Sequence, residues 1–379
     1  MKKPRILIDN LFVNRGGVEV MMWSLISYLT EKGCDVTLAA VHWPGNEETD
    51  VIPPGVHFIQ RYKLRRKDIK SAPLRLMNKL VCRIYDACTA LRLSLLNFDI
   101  AIAMQEKRTM LRTDGLRAKR KIAWIHTDYA TRLKEKKPLF ASPEQERACM
   151  ARFEKVICVS ETAKKGVITT VGDPGNLYVR YNPIDVNRIR TLSQASCPLE
   201  HKKDKPLLIS VGRLVAEKQY LMLLEACREL SKTLDFELWI VGDGEERPAL
   251  EAYIAENGLS SRVRLLGTQT NPFQYVRQAD LFISSSSTEG YGLTIQEALL
   301  LGVPVAAVNC PAVEESLDPK YGLLVGNSAE ALRDGIASLL KNPELLRQYQ
   351  KNIAQGRLDE EVFEKRLDAI YSLLMDTKK

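Results

Sequence analysis

Glu289 and Glu297, separated by seven residues, flank the glycine-rich turn Gly290-Tyr291-Gly292, which runs straight into the apolar stretch Leu293-Thr294-Ile295-Gln296-Glu297-Ala298. The run Leu281-Phe282-Ile283-Ser284 before it reads as a strand. A strand, a glycine turn and a helix in that order expose backbone N–H groups at a helix N-terminus, which is a ready anion site. Carboxylates touching an anion would repel it, so these two must face something neutral and hydroxylated. A phosphate with polyols on either side is the make-up of a nucleotide sugar. Plainer readings stay open: Thr294-x-x-Glu297 has capping-box spacing, and the two glycines could serve only to permit positive φ.

The cations that such a ligand needs occur earlier in the chain. Arg213 and Lys218 lie in Ser210-Val211-Gly212-Arg213-Leu214-Val215-Ala216-Glu217-Lys218, directly after the apolar run Leu207–Val211. Two cations at a strand C-terminus would neutralise a diphosphate and stabilise it as a leaving group, in place of a metal ion. The alternative is a pair of solvated loop cations. No Asp-x-Asp occurs, and Asp243-Gly244-Glu245 reads as turn chemistry, so neither a dedicated divalent-metal site nor any other cofactor is expected. Gly16 and Gly17 allow close backbone approach before a helix, but they do not complete the G-x-G-x-x-G dinucleotide fingerprint. His126 ends the apolar strand Ile122–Ile125, where it could hydrogen-bond a sugar hydroxyl or a carbonyl, or merely cap the strand. No Ser/His/Asp or Cys/His arrangement points to a hydrolase.

Positioning these residues requires strands that alternate with helices. The first half offers strands at Arg5–Asp9, Asp35–Val41, Asp99–Met104, Lys121–His126 and Lys155–Val159, with a helix over about Val18–Lys32 ending at Gly33. The second half repeats the scheme at Leu207–Val211, Glu237–Val241, Val263–Leu266, Leu281–Ser284 and Val305–Val308. The expectation is an α/β protein of two doubly wound, Rossmann-like domains with a linker over about Asn182–Lys205. Such domains bind ligands beside their strand C-termini, and a cleft between the two is expected. A long amphipathic helix is expected over about Asp359–Met375.

At 379 residues there is enough chain for two cores, and the hydrophobic fraction of 45% against 27% charged is that of a soluble globular protein. Eight scattered cysteines without a C-x-x-C pair, beside four histidines, suit a reducing compartment. No run approaches the roughly 20 apolar residues that span a bilayer. A cytoplasmic protein is expected. The formal net charge is +8, and residues 61–83 hold nine Lys/Arg (Arg61, Lys63, Arg65, Arg66, Lys67, Lys70, Arg75, Lys79, Arg83) against Asp68 alone. Arg75, Lys79 and Arg83 form one stripe of a helix whose apolar face is Met77, Leu80, Val81, Ile84 and Cys88. A solvated surface helix, a dock on an anionic membrane surface and a nucleic-acid site all remain open. The last is disfavoured because the segment lacks interleaved aromatics.

With these residues in hand, a family resemblance emerges. E-G-Y-G-L-T-I-Q-E-A-L at Glu289–Leu299, followed by Gly302-Val303-Pro304-Val305, resembles the signature of retaining GT-B-type glycosyltransferases of glycosyltransferase family 4, the glycosyl transferases group 1. V-G-R-L-x-x-E-K at Val211–Lys218, V-G-D-G-E at Val241–Glu245, V-R-L-L-G at Val263–Gly267 and Leu324-Val325 extend the likeness. Gly16-Gly17, His126 and Val159-Ser160-Glu161 carry it more thinly in the first half. The resemblance implies an acceptor-binding domain over 1–185 and a nucleotide-sugar domain over 186–379, with the helix of about 359–379 crossing back to the first. It implies that Arg213 and Lys218 grip the donor diphosphate, Glu297 the ribose and Glu289 the hydroxyls of the donor sugar. Backbone groups from Gly290, Tyr291, Gly292 and Leu293 would contact sugar and phosphate, and the region of Gly267 and Thr268 the base. Gly16 and Gly17 would line the cleft, and His126 would touch the transferred sugar. Tyr181-Asn182-Pro183-Ile184-Asp185 departs from the family's P-N-G-[IV]-D, and Gln219-Tyr220 replaces its small or basic residues.

The expected activity is retaining, metal-independent transfer of a hexose or N-acetylhexosamine from a nucleotide sugar, a UDP-sugar for preference. The acceptor would be a glycan or lipid-linked glycan in cell-surface polysaccharide synthesis, with the protein cytoplasmic or peripheral at the inner membrane face and binding no nucleic acid. The rival readings are a sugar-nucleotide epimerase or phosphorylase on the same fold, and a non-catalytic transferase-like subunit.

Overall fold

A computed structural model describes residues 3–12, 16–42, 52–60, 71–130, 139–199, 201, 204–356 and 358–376. The chain divides into two units, Met1–Pro183 with Leu367–Lys379, and Ile184–Arg366.

The first unit is built in the order β1 (Arg5–Phe12), α1 (Gly17–Glu31), β2 (Asp35–His42), β3 (His57–Gln60), α2 (Ala72–Leu95), β4 (Phe98–Ala103), α3 (Arg108–Asp114), β5 (Ala118–Ile125), α4 (Pro143–Met150), β6 (Lys155–Cys158), α5 (Glu161–Val171) and β7 (Leu177–Val179). Its strands form a seven-stranded parallel sheet in the order β3-β2-β1-β4-β5-β6-β7. Parallel strands buried on both faces need continuous apolar runs, and Ile6-Leu7-Ile8 and Ile122-Ala123-Trp124-Ile125 are fully buried.

The second unit continues with α6 (Val186–Ser193), β8 (Leu207–Val211), α7 (Tyr220–Leu230), β9 (Glu237–Val241), α8 (Arg247–Glu256), β10 (Val263–Gly267), α9 (Phe273–Val276), β11 (Leu281–Ser284), α10 (Leu293–Leu300), β12 (Val305–Val308), α11 (Pro311–Ser316), β13 (Gly322–Val325), α12 (Ala329–Leu340) and α13 (Pro343–Gln355). Its six-stranded sheet has the order β10-β9-β8-β11-β12-β13. Alternate residues of β8, Leu208 and then Leu207 and Ile209, enter separate apolar clusters, as period-2 strands between two helix layers require. Both sheets are doubly wound, and in each the order reverses beside the first strand. Ligands bind at that reversal because crossover loops diverge there and leave a crevice.

Two expectations are corrected, and two strands are added. The stretch 182–205 is no plain linker. It contains α6, capped by the Asp185 side chain accepting from the Arg188 N–H at 2.9 Å, with Val186 and Ile189 buried beside Phe273 and Phe363. The helix expected over 359–375 is divided: a π-helical turn, Leu358–Phe363, leads into α14 (Glu364–Met375). Two short strands escaped the sequence reading, β3 and β7.

The end of α14 is held by cations of the first unit. Lys155, only 2% exposed, donates to the carbonyls of Leu373 at 3.0 Å and Asp376 at 2.7 Å. Arg120 donates to Leu374 and Asp376 while pairing with both oxygens of Glu154. Terminal helix carbonyls lack intrahelical donors and carry the negative end of the dipole, so these cations stabilise them.

Six of the nine cations of the basic segment fall in residues 61–70, which lie outside the described residues, as do the side chains of Arg75 and Lys79. Arg83 is exposed. The apolar face expected on this helix does not pack inward: Met77, Leu80, Ile84 and Cys88 are exposed, while Cys82, Thr89 and Leu93 face the unit. Among the described residues no helix is long and apolar enough to cross a membrane.

Candidate active site

In the second unit the reversal of strand order sets the loop after β8 against the loop after β11. Three backbone hydrogen bonds lock the first of these loops. Gly212 N–H donates to Val241 O at 3.0 Å, Leu214 N–H to Asp243 O at 3.0 Å, and Gly242 N–H to Gly267 O at 2.8 Å. Gly242 has φ +139°, and a Cβ there would sit 1.8 Å from the Gly212 carbonyl oxygen. On Gly244 it would sit 2.3 Å from that of Leu214. Backbone approach this close tolerates no side chain. Asp243-Gly244-Glu245 is therefore the turn the sequence suggested.

The same loop then turns toward β11. A single 3-10 turn, Ala216–Lys218, ends at Gln219 in the left-handed region (φ 49°), and α7 begins at Tyr220. Tyr220 is buried with its hydroxyl under Gly212, where a Cβ would come within 2.9 Å of it. Burial drives that hydroxyl away from ionisation, so it acts as a neutral hydrogen-bonding group. The Ser285 hydroxyl donates to Lys218 O at 2.6 Å, and Ser287 N–H donates to Glu217 O at 2.9 Å. These bonds fix the backbone of Lys218, whose ammonium reaches Glu289 Oε1 at 2.5 Å. The two side chains are 21% and 14% exposed. A small pocket opens there, lined by Ser210, Lys218, Tyr220, Ser284, Glu289 and Thr294.

Glu297 has a different setting. Gly292, at φ +74°, is the N-cap of α10 and carries no side-chain cap, so Thr294 lies inside the first turn and Thr294-x-x-Glu297 is not a capping box. Freed of that duty, the Glu297 carboxyl makes no hydrogen bond among the described residues. Burial pushes its carboxyl up to about 7, and the charge of Arg188 pulls the other way. A desolvated acceptor with no donor suits a ligand bearing hydroxyls.

The remaining positions divide. Tyr291 is buried, its hydroxyl accepting from Arg366 at 2.7 Å with that guanidinium 5.2 Å over its ring. Leu293 packs beside Ile184, Val186, Ile189, Phe273 and Phe363. Both side chains serve the core, leaving only their backbone for a ligand. Gly290 is half-buried in the same turn. Gly267 has φ +68° and Thr268 is exposed. Arg213 is exposed and makes no ion pair among the described residues. Sequence reasoning missed Tyr220, Ser285, Ser287, Arg188 and Arg366. The run Ser284-Ser285-Ser286-Ser287 was a legible signal for two of them.

In the first unit the loops after β1, β4 and β5 gather His126, Glu106, Gln105 and Glu19. Gly16 is the N-cap of α1 in extended conformation, and Gly17 is its first residue. A Cβ on Gly16 would lie 2.7 Å from Glu19 Oε2, and Glu19 Oε1 accepts from Gln105 Nε2 at 3.4 Å. Glu106 accepts from the His126 backbone N–H at 3.3 Å and from the Thr127 hydroxyl at 2.8 Å. The His126 ring stacks on Trp124 with centroids 6.2 Å apart, and neither ring nitrogen has a partner among the described residues. Burial lowers the imidazole to about 4, against the opposing pull of Glu106, so it is neutral at pH 7. Among the described residues, no three His, Cys, Asp or Glu side chains come together as a metal site.

The glycosyl transferases group 1 model matches residues 195–356, and the Glycosyltransferase Family 4 model matches residues 15–188. Between them they leave only 1–14, 189–194 and 357–379 uncovered. The chain belongs to the family 4 glycosyltransferases. Its fold is GT-B, like that of Anabaena Alr3699/HepE solved with UDP and glucose, which superposes with a TM-score of 0.77 at 18% identity over 98% of this chain and 99% of that one. The lipopolysaccharide core biosynthesis glycosyltransferase LpsE of Rhizobium meliloti is 30% identical over 185 residues, 48% of this chain and 53% of its own length. An N-acetylgalactosamine-N,N'-diacetylbacillosaminyl-diphospho-undecaprenol 4-alpha-N-acetylgalactosaminyltransferase of Campylobacter jejuni is 32% identical over 187 residues, 48% of this chain and 49% of its own. The chain thus spans about half the length of these curated relatives. In this glycosyltransferase the group 1 match takes in Lys218, Glu289 and Glu297, and the family 4 match takes in Gly16, Gly17 and His126.

Proposed function

We propose that this protein transfers a hexose or N-acetylhexosamine from a UDP-sugar to a glycan or lipid-linked glycan acceptor, retaining anomeric configuration and using no metal ion. The Lys218–Glu289 contact over the pocket at the start of α10 carries the reading. It pairs a cation suited to a diphosphate with a carboxylate suited to sugar hydroxyls, on loops that backbone hydrogen bonds fix in advance. Preorganised charge of this kind stabilises a departing diphosphate without reorganisation at the moment of reaction. Arg213 adds a second cation, with no ion pair among the described residues. Glu297 accepts from the ribose hydroxyls, and backbone groups near Gly267 and Thr268 meet the base. On the first unit, neutral His126 accepts from or donates to a substrate hydroxyl. The activities of the relatives, lipopolysaccharide core synthesis and transfer to a diphospho-undecaprenol-linked sugar, support the acceptor class. The UDP in the Anabaena complex supports the donor base.

The decisive experiment screens UDP- and GDP-sugars for nucleotide release with and without lipid-linked glycans, in EDTA and in Mg2+, and reads the product anomer by NMR. UDP release stimulated by acceptor, undiminished in EDTA and yielding the donor's anomer, is expected. Release from GDP-sugars alone, dependence on Mg2+, or inversion would each overturn the corresponding element.

A further inference from the structure

The turn Gly290-Tyr291-Gly292 carries little restraint of its own. Glycine on both sides of Tyr291 frees the backbone, and Gly292, at φ +74°, begins α10 with no side-chain cap. The side chain able to fix the turn is Tyr291, which is 5% exposed. Its anchor comes from 75 residues further along the chain. Arg366, in the first turn of α14 and the last residue of the second unit, donates from Nη2 to the Tyr291 hydroxyl at 2.7 Å. The same guanidinium lies 5.2 Å from the centre of the Tyr291 ring and 4.8 Å from that of Phe363. Burial holds the Tyr291 phenol above its ordinary range, against the pull of the Arg366 charge, so a neutral hydroxyl accepts from a cation. Phe363 precedes Arg366 by three residues and shares its helix face. It is fully buried in the cluster against which Leu293, the residue after the second glycine, packs. Phe363 and Arg366 therefore grip the chain on either side of Gly292, one at Leu293 and the other at Tyr291.

We propose that Arg366 is a positioning residue for the donor: through Tyr291 it holds the backbone N–H groups of residues 290–293 in place before the ligand arrives. The proposal rests on the reading of that turn as a nucleotide-sugar site. Packing alone would be met by any long side chain lying over the two rings. The hydrogen bond to the phenol adds a distance and a direction, which fix the rotation of Tyr291 and with it the backbone between the glycines. A turn left loose would have to be ordered by the ligand, and that ordering costs backbone entropy at the expense of affinity. The planar guanidinium suits the task because it can stack on aromatic faces and donate along a fixed line at once.

Two substitutions separate anchoring from packing. Tyr291→Phe removes the acceptor and keeps the ring, while Arg366→Met removes the donor and keeps a long side chain over both rings. Hydrogen exchange on the ligand-free full chain reads the anchor directly. Amides of residues 290–293 should exchange about tenfold or more faster in each variant, with protection in β8–β13 unchanged. Titration calorimetry with UDP should give affinity about tenfold weaker in each single variant. The double variant should be no weaker than either, because both substitutions break one contact. Unchanged exchange at 290–293, additive losses in the double variant, or parent affinity in Arg366→Met would each overturn the proposal. Failure of the parent itself to bind UDP would strike the donor reading, and this role with it, even where exchange shows the anchor. Normal binding by the parent beside unaffected variants would strike Arg366 alone.

Discussion

Lys218 and Glu289 neutralise each other at 2.5 Å without ligand, yet the proposed chemistry asks each to face a different part of the donor. Lys218→Ala removes the diphosphate's cation and should lower kcat by about 10²–10³-fold while the protein stays folded. Unchanged turnover would sink the assignment. Glu289→Gln keeps the shape but loses the charge, so transfer should fall by about 10–100-fold, with UDP affinity in calorimetry nearly intact. Loss of UDP binding would instead place Glu289 on the nucleotide. Glu297 adds a pH signature. Its folded value of about 7 stands above the unfolded carboxylate value, so ionising it costs stability, a cost that grows as pH rises from about 4.5 to about 7 and is then complete. The Glu297→Gln variant should therefore be more stable than the parent at pH 8, by up to about 3 kcal/mol, and equal to it near pH 4. A ribose donates more strongly to the ionised form, whose hydrogen bonds are charge-assisted, so UDP affinity should drop as pH falls through about 7 in the parent and not in the variant. Stability curves and titration calorimetry at several pH values check both; parallel curves would remove Glu297 from the ribose site.

At the scale of elements, the motifs are junctions between loops as much as ligand contacts. Gly242→Ala forces a Cβ to within 1.8 Å of the Gly212 carbonyl at φ +139°, so the loop that carries Lys218 must move. Loss of about 2 kcal/mol or more in the second unit and a matching fall in UDP affinity are expected. A stable variant with parent affinity would show that the glycine lock does not position the site. The strands of this unit were legible because their burial on both faces leaves uninterrupted apolar runs, as in Leu207–Val211 and Leu281–Ser284. β3 and β7 were not, since edge strands of three or four half-buried residues carry neither alternation nor a run. The divided C-terminal helix hid for another reason: amphipathic periodicity survives a π turn well enough to look continuous. In the site, Glu289, Lys218 and the glycines were readable from type and spacing. Tyr220 was read only as a departure from family habit, because the space it fills under Gly212 exists only once β8 and α7 are folded. The apolar face of α2 was legible as Met77, Leu80, Val81, Ile84 and Cys88, but its outward exposure was not, because a stripe of Leu and Ile does not state what it packs against.

At the scale of the whole molecule, the first unit is built from two separate stretches of chain, and Leu367–Lys379 joins it after the second unit is complete. Returning it sets a problem that local sequence does not announce, because Lys155 sits fully buried in a strand and needs acceptors. The carbonyls of Leu373 and Asp376 supply them, while Ile370, Leu373 and Leu374 add buried apolar contacts. Ending the chain at Arg366 removes all of these and leaves the Lys155 ammonium with Glu154, 3.6 Å away, in place of two carbonyl acceptors. The cost is of the order of 3–5 kcal/mol before lost packing is counted. The first unit should then unfold about 10 °C or more below the parent. Hydrogen exchange should report lost protection in β5, β6 and β7 and retained protection in β8–β13. Adding Lys155→Met to the truncated chain should recover part of the loss, since an apolar side chain of similar length needs no acceptor. Equal loss across both sheets, or no rescue by Lys155→Met, would show that α14 stabilises the protein by some route other than satisfying Lys155.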